Sequence, residues 1–149
     1  MNPLLDELES DLSKTFDEKN IIFNIEVADN VVIYGNRTLL YSIFRNLVEN
    51  SIVYADESIQ ILIRCYMETD EAVFFEFHDN GVGVEEKHLV KIFERFYRVN
   101  EGRTRDTGGS GLGLSIVKNA VLFHKGSIVA KNRPEGGLLF LITFPKAKV

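Results

Sequence analysis

Between Arg37 and Ala55 the apolar positions recur at helical spacing. Leu40, Phe44, Leu47, Val48 and Ser51 fall on one broad arc, and Thr38, Ser42, Arg45 and Glu49 form the wet one. This pattern predicts a helix that starts near Arg37 and ends in the stretch RNLVENSIVYA, Arg45–Ala55. Asn46 and Asn50 lie four apart and share a stripe at the border between the arcs. Asparagine suits a helix interior poorly, because its amide competes for backbone hydrogen bonds. Two of them along one edge of a core-facing helix read either as amides turned toward a ligand or as half-buried amides satisfied by nearby backbone.

Similar patterning organises the rest of the chain. Pro3 to Glu18 reads as an amphipathic helix, with Leu4, Leu5, Leu8 and Leu12 against Asp6, Glu7, Glu9 and Asp11. Alternation at Ile21, Phe23, Ile25 and Val27 predicts a strand, and Val31–Tyr34 a second short one after the turn at Asp29-Asn30. Ile59, Ile61, Ile63 and Cys65 mark a third strand, hairpinned to a fourth at Val73, Phe75 and Phe77. Glu85–Phe96 is short and helical in character. Gly111–Phe123 predicts a helix with Leu112, Ile116, Ala120 and Phe123 on one face. Strands at Ile128–Lys131 and Leu138–Phe144 close the chain around a turn at Arg133–Gly137. Helix, two strands, three times over, implies an α+β fold: a two-layer α/β sandwich whose mixed, mostly antiparallel sheet carries about three helices on one face.

Composition narrows the function. At 149 residues one domain is expected, and 45% hydrophobic residues are enough for a core. The net charge of −5 leaves no basic footprint for nucleic acid. A polyanion would have to be met by backbone amides, a metal and a few local cations. Cys65 is the only cysteine, and His78, His88 and His124 show no metal-ligand spacing. No 18-residue apolar run and no signal peptide is present. A polar helix directly after Met1 reads as a domain excised from a longer protein.

Three features carry candidate chemistry. Asp79, in HDNGVGV, is in phase with Val73, Phe75 and Phe77, so its carboxylate is expected on the inner face, where a flat ligand bearing an amine would supply a donor. Gly81 and Gly83 would let the backbone pass close to that ligand. The competing reading is a plain Asp-Asn-Gly turn. Gly108, Gly109, Gly111 and Gly113, in TGGSGLGLSIVK, run straight into a helix, an arrangement that holds phosphates on backbone amides; a flexible linker with a glycine-capped helix is the alternative. The long polar stretch Asn100–Gly109 lies between, with Arg95, Arg98, Arg103 and Arg105 around it, and reads as a phosphate-facing lid or a solvated loop. Phe93, Phe96 and Tyr97 are expected to anchor its base.

RNLVENSIVYA, DNGVGV, IFERFYRVN and GGSGLGLSIVK, in that order, closely resemble the asparagine box, first glycine box, phenylalanine box and second glycine box of the sensor histidine kinase ATP-binding domain. That domain shares a superfamily with DNA gyrase, the MutL proteins and the heat-shock chaperone ATPases. The resemblance spans about Leu4 to Pro145 and implies a Bergerat-type ATP-binding fold over 1–149, with a lid at about 98–110. It implies that Asp79 accepts from the adenine amine, that Asn50 ligates Mg²⁺, and that Asn46 lies beside the phosphates. Tyr54 is implied at the nucleotide pocket. So are Gly81 and Gly83, with Arg98 at the terminal phosphate. Gly109, Gly111, Leu112, Gly113 and Leu114 are implied in the phosphate-holding loop.

Where hydrolysing relatives place a glutamate, this chain has Asn46, and an amide is no general base. Glu49 should point elsewhere on the helix. Asn46 and Arg98 are therefore expected to serve phosphoryl transfer to a histidine rather than to water. Val53 stands where the family often has a phosphate-reaching lysine, and Leu139 where it has threonine. None of the three histidines sits in an acceptor motif, and His124 reads as structural. The resemblance thus implies the ATP-binding half of a kinase, inactive in autophosphorylation without an upstream dimerisation domain bearing the acceptor histidine. A response regulator would be the onward partner. It places the domain in the cytoplasm, without membrane or nucleic-acid contact, and leaves open an inner-membrane anchor elsewhere in the parent. A non-catalytic nucleotide-binding or scaffold module and an ATP hydrolase of the same superfamily are the alternatives.

Overall fold

A computed structural model of the chain describes residues 1–54, 58–99 and 111–146. The first helix, α1 (Asn2–Lys19), has Pro3 in its first turn, where a missing N–H costs nothing. It ends at Asn20, whose left-handed backbone returns its N–H to the Asp17 carbonyl. Leu4, Leu5, Leu8, Leu12 and Phe16 form its buried stripe. Phe16 stacks on Phe23 of β1 (Ile22–Glu26) at 4.9 Å between ring centroids.

Residues 31–34 form no strand. Val31 is buried and Val32 and Tyr34 are exposed, so the expected alternation is present. No neighbouring strand pairs with it, however, and the Val31 N–H turns back to the Ala28 carbonyl. Alternation alone does not supply a ladder partner.

Asn36 caps α2 (Arg37–Tyr54): its Oδ1 accepts the Leu39 N–H at 3.0 Å. Leu40, Ile43, Phe44, Leu47, Val48, Ser51 and Ile52 are its buried positions. Phe44 is fully buried against Phe75, and truncating it to alanine would cost roughly 3–5 kcal/mol.

The sheet also contains β2 (Gln60–Glu68), β3 (Ala72–Asp79), β4 (Ser127–Asn132) and β5 (Leu138–Pro145), in the order β1-β2-β3-β5-β4. Among the described residues only β1 and β2 run parallel; the other pairs are antiparallel. The inner face is a row of fully buried side chains: Ile61, Ile63, Phe75, Phe77, Phe140 and Phe144. They join the helices in one continuous core. On the outer face Arg64 pairs with Glu76 directly across the β2–β3 ladder.

The third helix, α3 (Gly113–Phe123), presents a different face from the expected one. Ser115, Val117, Ala120 and Val121 are buried, whereas Ile116 and Phe123 are exposed. The segment is apolar nearly all round, so two stripes overlap. The one that packs continues to His124. That ring accepts the Asn36 N–H at Nε2, at 3.0 Å, and places Nδ1 2.7 Å from the Ala120 carbonyl. These contacts brace the end of α3 against the start of α2. Glu85–Phe96 forms two short 3₁₀ turns, Glu86–His88 and Lys91–Phe93, rather than a helix.

Candidate nucleotide-binding site

Asp79 ends β3 on the inner face, as its phase requires, and is 8% exposed. Its carboxylate is already partnered. Oδ1 accepts the N–H groups of Gly81 at 3.0 Å and Leu138 at 3.2 Å. Oδ2 accepts the Ser51 hydroxyl of α2 at 2.8 Å. Each carboxylate oxygen offers about two acceptor sites, so Oδ2 retains one. The Asp79 backbone carbonyl accepts from the Arg133 guanidinium at 2.9 Å. A Cβ at Gly137 would stand 2.0 Å from that same carbonyl oxygen, so only glycine fits there.

The segment after Asp79 is not a hairpin turn, because β3 pairs with β2 and β5 and the chain runs on into the 3₁₀ turns. Asn80 closes the sheet end by accepting the Gln60 N–H at 2.7 Å. Asn132 acts as a surrogate strand for Val84: Oδ1 accepts its N–H at 3.0 Å and Nδ2 donates to its carbonyl. Gly83 has φ +71°, and a Cβ there would meet Asn132 Oδ1 at 2.6 Å. A Cβ at Gly81 would lie 3.3 Å from Asp79 Oδ1.

On α2, Asn46 and Asn50 are both half-buried. Asn46 Nδ2 donates to the Ser42 carbonyl at 2.8 Å and to its hydroxyl. Its Oδ1 faces the start of α3, 3.3 Å from where a Gly113 Cβ would be. Asn50 makes no side-chain hydrogen bond among the described residues. Its free amide oxygen is a hard ligand that suits Mg²⁺, an ion usually held by one or two protein oxygens plus phosphates and waters. Among the described residues no cluster of His, Cys, Asp and Glu could hold a metal alone. Glu49 pairs with Arg45 at 2.9 Å on the wet arc, away from the asparagine stripe. Tyr54, at the end of α2, is 43% exposed, and Val53 is half-buried.

Phe93 is buried and meets Phe140 edge-on, and Tyr97 is half-buried with its hydroxyl bonded to His88 Nδ1. Phe96 does not anchor the lid base as expected: it is 66% exposed, with φ +65°. Its N–H instead donates to the Gly111 carbonyl at 2.7 Å. Gly111 has φ +73°, and a Cβ there would meet Phe96 Cα at 2.9 Å. Leu112 precedes α3 and supplies no side-chain cap to its first amides. Leu114 packs partly into the core, and Arg98 follows Tyr97, half-buried. Gly108, Gly109, Arg103, Arg105 and the lid stretch 100–110 lie outside the described residues.

Sequence reasoning missed Ser51, which it counted as apolar, and Arg133, Asn132, Gly137 and the Leu138 amide. A buried serine facing a strand-end aspartate was the available signal for the first. The Gly136-Gly137 pair was the signal for the last three. A separate concavity is lined by Asn24, Glu26, His78 and Arg133. Burial there pushes the His78 imidazole below its usual range; the Arg133 charge adds to this and Glu76 opposes it.

A family model described as histidine kinase-, DNA gyrase B-, and HSP90-like ATPase matches residues 35–148. The signal transduction histidine-protein kinase BaeS of Escherichia coli (strain K12) is 36% identical over 143 residues, covering 96% of this chain and 30% of its own length. The chain therefore spans less than a third of that curated relative. Among solved structures, the catalytic domain of histidine kinase ThkA superposes with a TM-score of 0.84 at 28% identity, covering 99% of this chain and 95% of that one. ThkA in complex with response regulator protein TrrA superposes at 0.79 with 26% identity, covering 99% and 40%. No helix among the described residues is long and apolar enough to cross a membrane.

Proposed function

The chain belongs to the histidine kinase-, DNA gyrase B-, and HSP90-like ATPase family as a sensor histidine kinase ATP-binding catalytic domain, and we propose that it binds Mg-ATP against Asp79 and delivers the γ-phosphoryl group to a histidine on a separate dimerisation domain. One observation carries this reading. Within the single stretch Asn46–Ser51, α2 touches the buried carboxylate through Ser51 and the start of α3 through Asn46. An amine-bearing base and a phosphate chain would thus be held by one helix.

The residues divide the work as follows. Ser51 and the amides of Gly81 and Leu138 orient the Asp79 carboxylate, leaving one Oδ2 acceptor for the adenine amine. Gly81 and Gly83 shape the wall beside it, and Tyr54 flanks the pocket. Asn50 would hold Mg²⁺, whose chemistry is neutralisation of phosphate charge, and Asn46 lies alongside. Amides of Gly109, Gly111, Leu112, Gly113 and Leu114 receive phosphate oxygens at the positive end of α3. Arg98 meets the terminal phosphate.

Asn46 cannot take a proton from water, and Glu49 is engaged with Arg45. This supports transfer to a protein side chain over hydrolysis. The solved complex of ThkA with its response regulator supports a regulator as the onward acceptor. The domain works on the cytoplasmic side, with the acceptor histidine upstream in the parent protein.

Calorimetric titration of Mg-ATP into the chain and into Asp79→Asn is the test. Binding by the wild type and its loss in the variant is the expected result. No heat from a folded wild type overturns the reading. With the upstream domain added in trans, labelled ATP should yield an acid-labile phosphohistidine.

A further inference from the structure

We propose that His88 and Tyr97 form a clasp that positions Arg98 for the terminal phosphate of ATP, a role that rests on the nucleotide reading above. Three contacts converge on the residues just before Arg98. The Tyr97 hydroxyl is hydrogen-bonded to His88 Nδ1, and the two rings sit 5.7 Å apart. The Tyr97 N–H turns back to the Glu94 carbonyl at 3.2 Å. One residue earlier, Phe96 holds a left-handed backbone, φ +65°, that costs a non-glycine residue about 1–2 kcal/mol. The 2.7 Å bond from its N–H to the Gly111 carbonyl secures that conformation, and the absence of a Gly111 side chain permits it.

Local secondary structure cannot set the direction of the chain here. The turns Glu86–His88 and Lys91–Phe93 are three residues each, and neither has a side-chain cap. The Phe96 ring is exposed and gives no anchor. Tyr97 and Val99 pack on the core on either side of Arg98. Of the two, only Tyr97 has a directional tie. His88 makes that tie from the turn that follows the Gly81–Val84 segment. This hydrogen bond ties the turn after the Gly81–Val84 segment to the residue before Arg98, a second link beside the one α2 makes. His88 and Tyr97 are positioning residues, acting through Arg98.

The test measures Mg-ATP and Mg-ADP affinities of the chain by calorimetry. Tyr97→Phe removes one oxygen, and His88→Leu removes the nitrogen. Each should weaken Mg-ATP by about 3- to 10-fold, the range of one net hydrogen bond, with much less effect on Mg-ADP. In His88→Asn an amide atom falls where Nδ1 stood, and affinity should return to within about twofold of the wild type. Once Arg98→Ala is present, Tyr97→Phe should add nothing, because the two act as one unit. Equal losses for both nucleotides, or full additivity with Arg98→Ala, overturn the clasp while leaving the nucleotide site intact. A wild type that binds neither nucleotide overturns the site and the clasp together. Should His88→Leu unfold the chain, Tyr97→Phe carries the same test alone.

Discussion

The Ser51 hydroxyl donates to Oδ2 of Asp79 over 2.8 Å, joining the middle of the sheet to the helix that also bears Asn46 and Asn50. Both groups are buried, at 3% and 8% exposure, so the bond is sheltered from bulk solvent. Ser51→Ala should cost about 1–3 kcal/mol in chemical denaturation. It should also weaken Mg-ATP, because the carboxylate loses the donor that aims it. A variant as stable as the wild type, with unchanged affinity, would show that the two amide donors suffice.

Gly136 and Gly137 are adjacent, and both have positive φ, at +106° and +93°. Their surroundings differ. A Cβ at Gly136 would have its nearest contact at 3.6 Å, whereas one at Gly137 would strike the Asp79 carbonyl at 2.0 Å. Gly136→Ala should cost only its backbone strain, roughly 1–3 kcal/mol. Gly137→Ala should cost clearly more and abolish nucleotide binding. Equal melting temperatures for the two variants would contradict the close approach.

Val53 follows Asn46 and Asn50 on the same edge of α2, seven and three residues on. An ammonium there would face the phosphate end of the pocket. Val53→Lys is expected to tighten Mg-ATP binding by roughly 3- to 10-fold at low salt, with the gain shrinking as ionic strength rises. A titration series in salt checks both parts. No gain at any salt would mean that the position does not reach the phosphates.

The folded state disfavours protonated His78 through burial and the Arg133 charge, so its affinity for protons is lower folded than unfolded. Between the folded value and the unfolded one of about 6.5, the unfolded chain binds more protons, and stability rises with pH. Stability should therefore be full above about pH 7 and decline as pH falls through the 6.5 region toward the folded value. His78→Gln should flatten that decline. Denaturant midpoints from pH 5 to 8 for both chains decide it.

The sequence exposed much of this molecule because two of its periodicities are unambiguous. On α2 the polar residues interrupt the apolar ones at only one phase, and the buried positions follow it. On β3 strict alternation carried the prediction through to Asp79. Where the pattern is degenerate, it misled. The α3 segment is apolar on most sides, so its core face was settled by contacts of Val117, Val121 and His124 that no spacing rule contains. Residues 31–34 alternate without a partner strand. Phe96 was read as an anchor from its type, whereas its backbone, not its ring, makes the tie to Gly111. The partners of Asp79 were hard to see because Ser51 and Leu138 are distant in sequence and two of the three donors, Gly81 and Leu138, are backbone groups.

That distance has a consequence for when the pocket exists. The three donors to the carboxylate lie 2, 28 and 59 residues from Asp79 along the chain, and the last belongs to the final strand. A polypeptide emerging from the ribosome would carry both asparagines and the glycine run before it could hold a nucleotide. On the proposed site, competence would arrive only when β5 seats. Ligand binding and seating of that strand are thus thermodynamically linked, and ATP in excess of its dissociation constant should hold the strand in place. On that reading, nucleotide affinity would double as a gauge of whether β5 is seated.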